Sequence, residues 1–159
     1  ELLVIARNSP DTPFFAVLNC SEAALEDFKE KVVVPRNLQL VANHSNLQQL
    51  YKKAFLVMNL SSPEVCIESF ALTVLEGMSF GCPVVVPEVG GHFEYFDSCA
   101  GFASDARDFS SIVGFIKRLQ SDYDLWARFS SNASKIALEY SADSYRRRVD
   151  HFLARYDDG

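Results

Sequence analysis

The segment Cys66–Gly91, CIESFALTVLEGMSFGCPVVVPEVGG, decides the reading of this chain. It holds two glutamates, Glu68 and Glu76, eight residues apart. The stretch 70–80 carries a helical pattern and Gly81 ends it. Pro83–Pro87 (PVVVP) is a short, continuous apolar run, the mark of a strand covered on both faces. Gly90-Gly91 then makes a turn. One carboxylate stands at the mouth of the helix and the other two turns inside it.

The same alternation extends in both directions. Upstream, ELLVIARN reads as the last turns of an amphipathic helix with Leu2, Leu3, Ile5 and Ala6 on its inner side, broken by Pro10 and Pro13. Phe14–Leu18 (FFAVL), Leu38–Ala42 (LQLVA) and Phe55–Leu60 (FLVMNL) read as buried strands. Ser21 caps a helix over 22–31, and Ser45 caps a short one beginning NLQQLYKKA. Ser61-Ser62-Pro63-Glu64 opens a loop toward Glu68. Downstream, Gly101–Asp105 is a short last strand and three helices fill the remainder. Short apolar strands alternating with helices predict an α/β domain, a Rossmann-like doubly wound parallel sheet with C-terminal helices. Ligands of such sheets bind beyond the carboxyl ends of the strands. The loops after Ala42, Leu60 and Val86 fall on that edge, so both glutamates and the Gly-Gly turn share one neighbourhood.

The bulk numbers agree with a single domain. The chain has 159 residues, 48% of them hydrophobic, with thirteen Phe and a net charge of −6. That charge argues against a nucleic-acid partner, which selects for a basic face. The chain has no apolar run near the roughly 18 residues of a membrane span. Cys20, Cys66, Cys82 and Cys99 form no CxxC pair and read as free thiols of a reducing cytosol. Neither metal nor cofactor is expected. The N-x-[ST] triplets at Asn19, Asn43, Asn59 and Asn132 carry no weight without a secretion signal.

A helix opening just after Glu68-Ser69 presents amides without intrahelical partners, and the dipole favours an anion there. Phe70, Ala71, Leu72 and Thr73 are the candidate N–H donors to a diphosphate. Glu76 is suited to accept the hydroxyl protons of a ribose, and Glu68 those of a sugar near the phosphate. Acidic residues also gather at helix N-termini through the dipole alone, and an exposed Glu76 needs no ligand. Spacing by itself leaves both readings open.

The segment resembles the E-x7-E region of retaining glycosyltransferases of the B-type, two-Rossmann fold, and within them family 4, the glycosyl transferases group 1. The resemblance rests on Glu68-Ser69-Phe70-Ala71-Leu72-Thr73-Val74-Leu75-Glu76, on Gly77-Met78-Ser79-Phe80-Gly81-Cys82-Pro83-Val84-Val85, and on Gly90-Gly91-His92-Phe93-Glu94. The upstream stretch NLQQLYKKAFLVMNLS and the order of elements extend it over the whole chain. It implies a hexosyltransferase that uses a nucleotide-sugar donor and a glycan or lipid-linked acceptor. Glu68, the expected catalytic residue, contacts the donor sugar beside the reacting carbon. Ser69, Phe70, Ala71, Leu72 and Thr73 line the diphosphate, and Glu76 holds the ribose. The base rests near Val41, Ala42 and Asn43. The alternatives are an epimerase-like or a non-catalytic sugar-nucleotide-binding domain of the same fold.

Two departures stand out. The family usually has Gly where Ala71 stands, and His92 with Phe93 enlarges the loop before Glu94, which bears on sugar choice. The family's Gly-Arg and Lys that bind the diphosphate have no counterpart here. Arg7 is not that arginine, because only Asn8–Phe14, seven residues with two prolines, separate it from the next strand. The expectation is a donor-binding domain over 1–159 that lacks its first strand and the N-terminal acceptor domain, and that is inactive alone. Cytoplasmic location follows from the family. Arg146-Arg147-Arg148 reads as a solvated helix face, with peripheral membrane association of the full-length protein as the alternative.

Overall fold

The computed structural model describes residues 1–62, 64, 65 and 67–157; Pro63 and Cys66, both named above, lie outside them. The elements follow in the order α1 (Leu2–Asn8), β1 (Phe14–Leu18), α2 (Glu22–Lys31), β2 (Leu38–Ala42), α3 (Leu47–Tyr51), β3 (Val57–Met58) and α4 (Leu72–Ser79). Then come β4 (Val84–Val86), a 3-10 turn (Gly91–Glu94), β5 (Gly101–Ala103), α5 (Phe109–Ser121), α6 (Tyr123–Glu139) and α7 (Ala142–Asp157).

Local chemistry accounts for the boundaries. Ser21 caps α2 by accepting the Ala24 amide at 3.2 Å. Asp108 and Asp122 do the same for α5 and α6. For α3 the cap is Asn46, not Ser45: the Asn46 side chain accepts from the Gln49 amide. Helix α4 begins two residues later than the pattern predicts. Ala71 takes φ 54 and ψ 59, in the left-handed region, so it precedes the helix as its N-cap. At the other end Gly81 adopts φ +76, as a C-terminal helix glycine does.

Every strand pairing is parallel, as the apolar runs imply, but the strands form two pieces rather than one continuous sheet. β1 pairs with β2, and β3-β4-β5 form the second piece. One hydrophobic cluster joins them: Phe14, Leu38, Leu40 and Ala42 of the first piece pack with Val85 of the second and with Ile112, Val113 and Ile116 of α5. Strand β4 has neighbours on both sides, and Val84, Val85 and Val86 are fully buried. Among the described residues β1, β2, β3 and β5 each have one neighbour, and Ala16, Val17, Leu18, Val57 and Met58 of β1 and β3 are half-buried. The ladder of β3 covers two residues of the six expected, although the Val57 and Asn59 amides bond Pro83 and Val85 carbonyls of the β4 segment.

Helix α4 lies on β3 and β4 and against α6, while α1 packs on α5. Asn37 ties the α1–β1 connection down by donating to the carbonyls of Ala6, Ser9 and Thr12. Trp126 is half-buried: its ring stacks on Phe55 and Tyr123, and its indole N–H bonds the Phe55 carbonyl. Helix α7 is largely exposed, and Arg146, Arg147 and Arg148 all face solvent on it. Among the described residues no helix is long and apolar enough to cross a membrane.

Candidate active site

The carboxyl ends of β2, β3 and β4 bring together the segments that the sequence marks. From β3 the chain leaves through Asn59, whose buried side chain accepts the Ser61 amide at 2.9 Å. The Ser61 hydroxyl in turn donates to Glu68 Oε1 at 3.1 Å. Glu68 is half-buried, so this bond limits its carboxylate to few orientations. Arg107, from the loop after β5, crosses to the same loop: it reaches Glu64 at 2.5 Å and the Ser62 hydroxyl at 3.5 Å. It is a cation at this edge that the sequence did not single out.

The main chain around Glu68 is held from the Gly-Gly turn. The Gly91 amide donates to the Glu68 carbonyl at 2.8 Å. A Cβ on Gly91 would sit 1.6 Å from the Ser69 carbonyl oxygen, so only glycine permits this approach. Tyr95 is buried, and its hydroxyl lies 2.9 Å from the carbonyls of both Phe70 and Ala71. Burial first, then the charge of Glu68, push the Tyr95 phenol well above its ordinary pKa. It therefore stays a donor.

These contacts set the entrance of α4. The Val74 amide turns back to the Ala71 carbonyl at 3.0 Å. The Leu72 and Thr73 amides come before it and have no intrahelical carbonyl to meet. Both residues are exposed, so those amides and the positive end of the helix dipole are open to an anion. Phe70 is expected to offer its amide. It precedes the helix, and its ring packs with Tyr95 and Tyr140, leaving its main chain alone for a ligand.

Glu76 is exposed one turn further on and accepts the Tyr51 hydroxyl at Oε2, 3.0 Å away. Burial and the Glu76 charge both raise the Tyr51 phenol above its ordinary pKa. At the end of β2, Val41 and Ala42 pair with Val17 and Leu18. Asn43 follows at φ 43, with its amide on the Leu18 carbonyl and its side chain on the Cys20 carbonyl. His44 is half-buried; its Nδ1 accepts the Asn46 amide and its ring meets Phe15 edge-on.

His92 lies in the 3-10 turn before Glu94. It is fully buried, with Nε2 bonded to the Pro87 carbonyl at 2.8 Å and the ring against Phe93 and Phe96, so it braces the Gly-Gly turn from behind. Phe93 is 46% exposed and remains on the surface. Open hollows of about 540 and 640 Å³ lie elsewhere, one beside Val33 and Gln39, the other beside Phe102 and Phe115. Neither of the two is lined by Glu68 or Glu76, which occupy an open edge. Among the described residues no group of three His, Cys, Asp or Glu side chains is placed to hold a metal ion.

The sequence profile described as "Glycosyl transferases group 1" matches residues 21–136, well over half of the chain. The protein belongs to that family. Over 95 residues, 56% of this chain and 12% of its relative, it is 35% identical to the sucrose synthase of Denitrovibrio acetiphilus. HepE of Anabaena, solved in complex with UDP, superposes with a TM-score of 0.79 at 19% identity over 98% of this chain and 45% of that one. The C-terminal domain of the group 1 family protein LpcC from Francisella tularensis superposes with a TM-score of 0.67 at 18% identity, over 88% of this chain and 75% of that one. The fold is thus the Rossmann-like half of a B-type glycosyltransferase, and this group 1 chain spans less than half the length of HepE.

Three residues at this edge of the group 1 domain carry no sequence signal of their role. Ser61 and Tyr51 have no distinguishing spacing. Tyr95 lies in an aromatic-rich stretch, and its hydroxyl bonds the main chain at the helix entrance.

Proposed function

We propose that this chain is the donor-binding domain of a retaining hexosyltransferase of glycosyltransferase family 4, acting on a nucleotide-sugar. The supporting observation is one continuous path along the entrance of α4: the half-buried Glu68 carboxylate, the open amides of Leu72 and Thr73, and the exposed Glu76. A sugar, a diphosphate and a ribose occur in that order in a nucleotide-sugar. Glu68 takes the donor sugar beside the reacting carbon, with Ser69 next to it. The main chain from Phe70 to Thr73 takes the diphosphate, and Glu76 takes the ribose hydroxyls. The base lies against the turn at Val41, Ala42 and Asn43. Uridine is the first base to test, since HepE was solved with UDP.

The account extends to the full-length protein. A parallel strand inserted between β1 and β3 would give each its second neighbour and cover the half-buried Ala16, Leu18 and Met58. The basic pair that the family uses on the diphosphate would come with it. The helix dipole and those cations stand in for a metal, so the reaction needs none. The acceptor, a glycan or a lipid-linked sugar, meets the donor in the cleft with an N-terminal domain, in the cytoplasm or at its membrane face. The isolated chain transfers no sugar.

The test is transfer by the full-length protein from UDP-, GDP- and ADP-hexoses, with the product's anomeric configuration read by NMR. Retention is expected with one base preferred, and Glu68→Gln is expected to lower kcat by at least about a hundredfold. Inversion of configuration, or full activity in Glu68→Gln, overturns the reading.

A further inference from the structure

We infer that Tyr51 is a positioning residue that sets the Glu76 carboxylate to receive both ribose hydroxyls of the donor, an inference that rests on the role of Glu76 proposed above. An exposed glutamate on a helix samples several rotamers, and holding one costs conformational entropy. Glu76 is not left to do so. The Tyr51 hydroxyl lies 3.0 Å from Oε2 and occupies one of its acceptor directions, which leaves Oε1 and the remaining lone pair of Oε2 for two further donors. Adjacent ribose hydroxyls are such a pair.

Tyr51 is itself held. It ends α3, its ring stacks on Phe80 at 5.7 Å between centroids with a 22° interplanar angle, and its carbonyl accepts the Cys82 thiol at 3.4 Å. The phenol thus joins the element that follows β2 to the helix that follows β3, the two elements that flank the proposed nucleotide. Its raised pKa keeps the proton on the phenol, so the bond to the carboxylate persists across the neutral range. Nothing in the proposed chemistry has Tyr51 touch the donor; it acts through Glu76.

The experiment uses the full-length protein and titration calorimetry. UDP, GDP and ADP are compared first; the tightest binder and its 2′-deoxy counterpart are then titrated into wild type, Glu76→Gln and Tyr51→Phe. The phenylalanine keeps the ring on Phe80, so the fold is retained and the hydroxyl alone is removed. Wild type is expected to bind the ribonucleotide about tenfold more tightly than the 2′-deoxy form. Tyr51→Phe is expected to weaken the ribonucleotide about fivefold, through the freedom regained by Glu76, and the 2′-deoxy form by clearly less. A purely structural loss would weaken both ligands equally, and that result overturns the inference, as does an unchanged discrimination in Tyr51→Phe. If Glu76→Gln discriminates as wild type does, or no nucleotide binds, the role of Glu76 falls and the inference with it.

Discussion

Tyr95 holds Ala71 in a backbone conformation that alanine disfavours. Its buried hydroxyl lies 2.9 Å from the Ala71 carbonyl and equally close to that of Phe70, while Ala71 sits at φ 54. The left-handed conformation costs an alanine roughly 1–2 kcal/mol, and here it stands immediately before the head of α4. The family's usual glycine would take this conformation without strain. The chain keeps the conformation with alanine, and Tyr95 is part of what enforces it.

Ala71→Gly should therefore stabilise the domain. Relief of the left-handed strain exceeds the extra unfolded-state entropy of glycine by about 0.5–1 kcal/mol, or a Tm rise of about 1–4 °C at this chain length. Thermal unfolding followed by circular dichroism measures it. A lower Tm would show that the alanine methyl, which is buried, packs for more than its backbone strain costs.

Tyr95→Phe should cost about 1–3 kcal/mol, because the hydroxyl shared between the Phe70 and Ala71 carbonyls is lost from a buried position. The loss should shrink when Ala71 is already glycine, since less strain then needs enforcement. A double-mutant cycle on denaturant midpoints reads that coupling, expected at about 0.5 kcal/mol or more. Strict additivity would separate Tyr95 from the conformation of Ala71.

Gly91→Ala should damage the site and the fold together. Its methyl would meet the Ser69 carbonyl at 1.6 Å, backbone that has no rotamer to yield. The Gly91 amide would withdraw from the Glu68 carbonyl. Transfer by the full-length protein should fall at least about tenfold, with a stability loss on the order of 2 kcal/mol. Wild-type activity in this variant would mean that the Gly-Gly turn does not set Glu68.

Cys82 supplies a pH signature. Burial pushes its thiol up to about 11 from an ordinary 9. A group whose folded pKa is raised contributes stability that is complete below the unfolded value and is lost as pH climbs through the folded one. The domain should lose that contribution between about pH 9 and 11, and Cys82→Ala should flatten this part of the stability profile. Below pH 9 iodoacetamide should modify the exposed Cys99 and spare Cys82, as peptide mass mapping would show.

Much of this architecture was legible in the chain. Phe14–Leu18, Leu38–Ala42 and Glu22–Lys31 form the elements their patterns announce, because each is an apolar run or amphipathic stretch bounded by a proline, a turn or a capping serine. The glutamates fall on one edge because strand direction puts every βα loop there. What escaped is set by tertiary contacts. Helix α4 starts late because Tyr95 and the Gly-Gly turn impose the conformation of Ala71, which no propensity contains. The sheet divides because pairing depends on which strands find neighbours, not on their apolar content. His92 reads as a loop residue but is buried, since its ring nitrogen has the Pro87 carbonyl within reach. Tyr51 and Ser61 gain their positions beside Glu76 and Glu68 from residues 25 and 7 positions away.

The central claim is that a nucleotide diphosphate seats on the entrance of α4 between Glu68 and Glu76. Hydrogen–deuterium exchange of the full-length protein, with and without saturating nucleoside diphosphate, tests it most directly. The account predicts slowed exchange in peptides covering residues 68–76 and 41–47, with the Leu72 and Thr73 amides among the most protected. Saturated binding with unchanged exchange in both segments would contradict it.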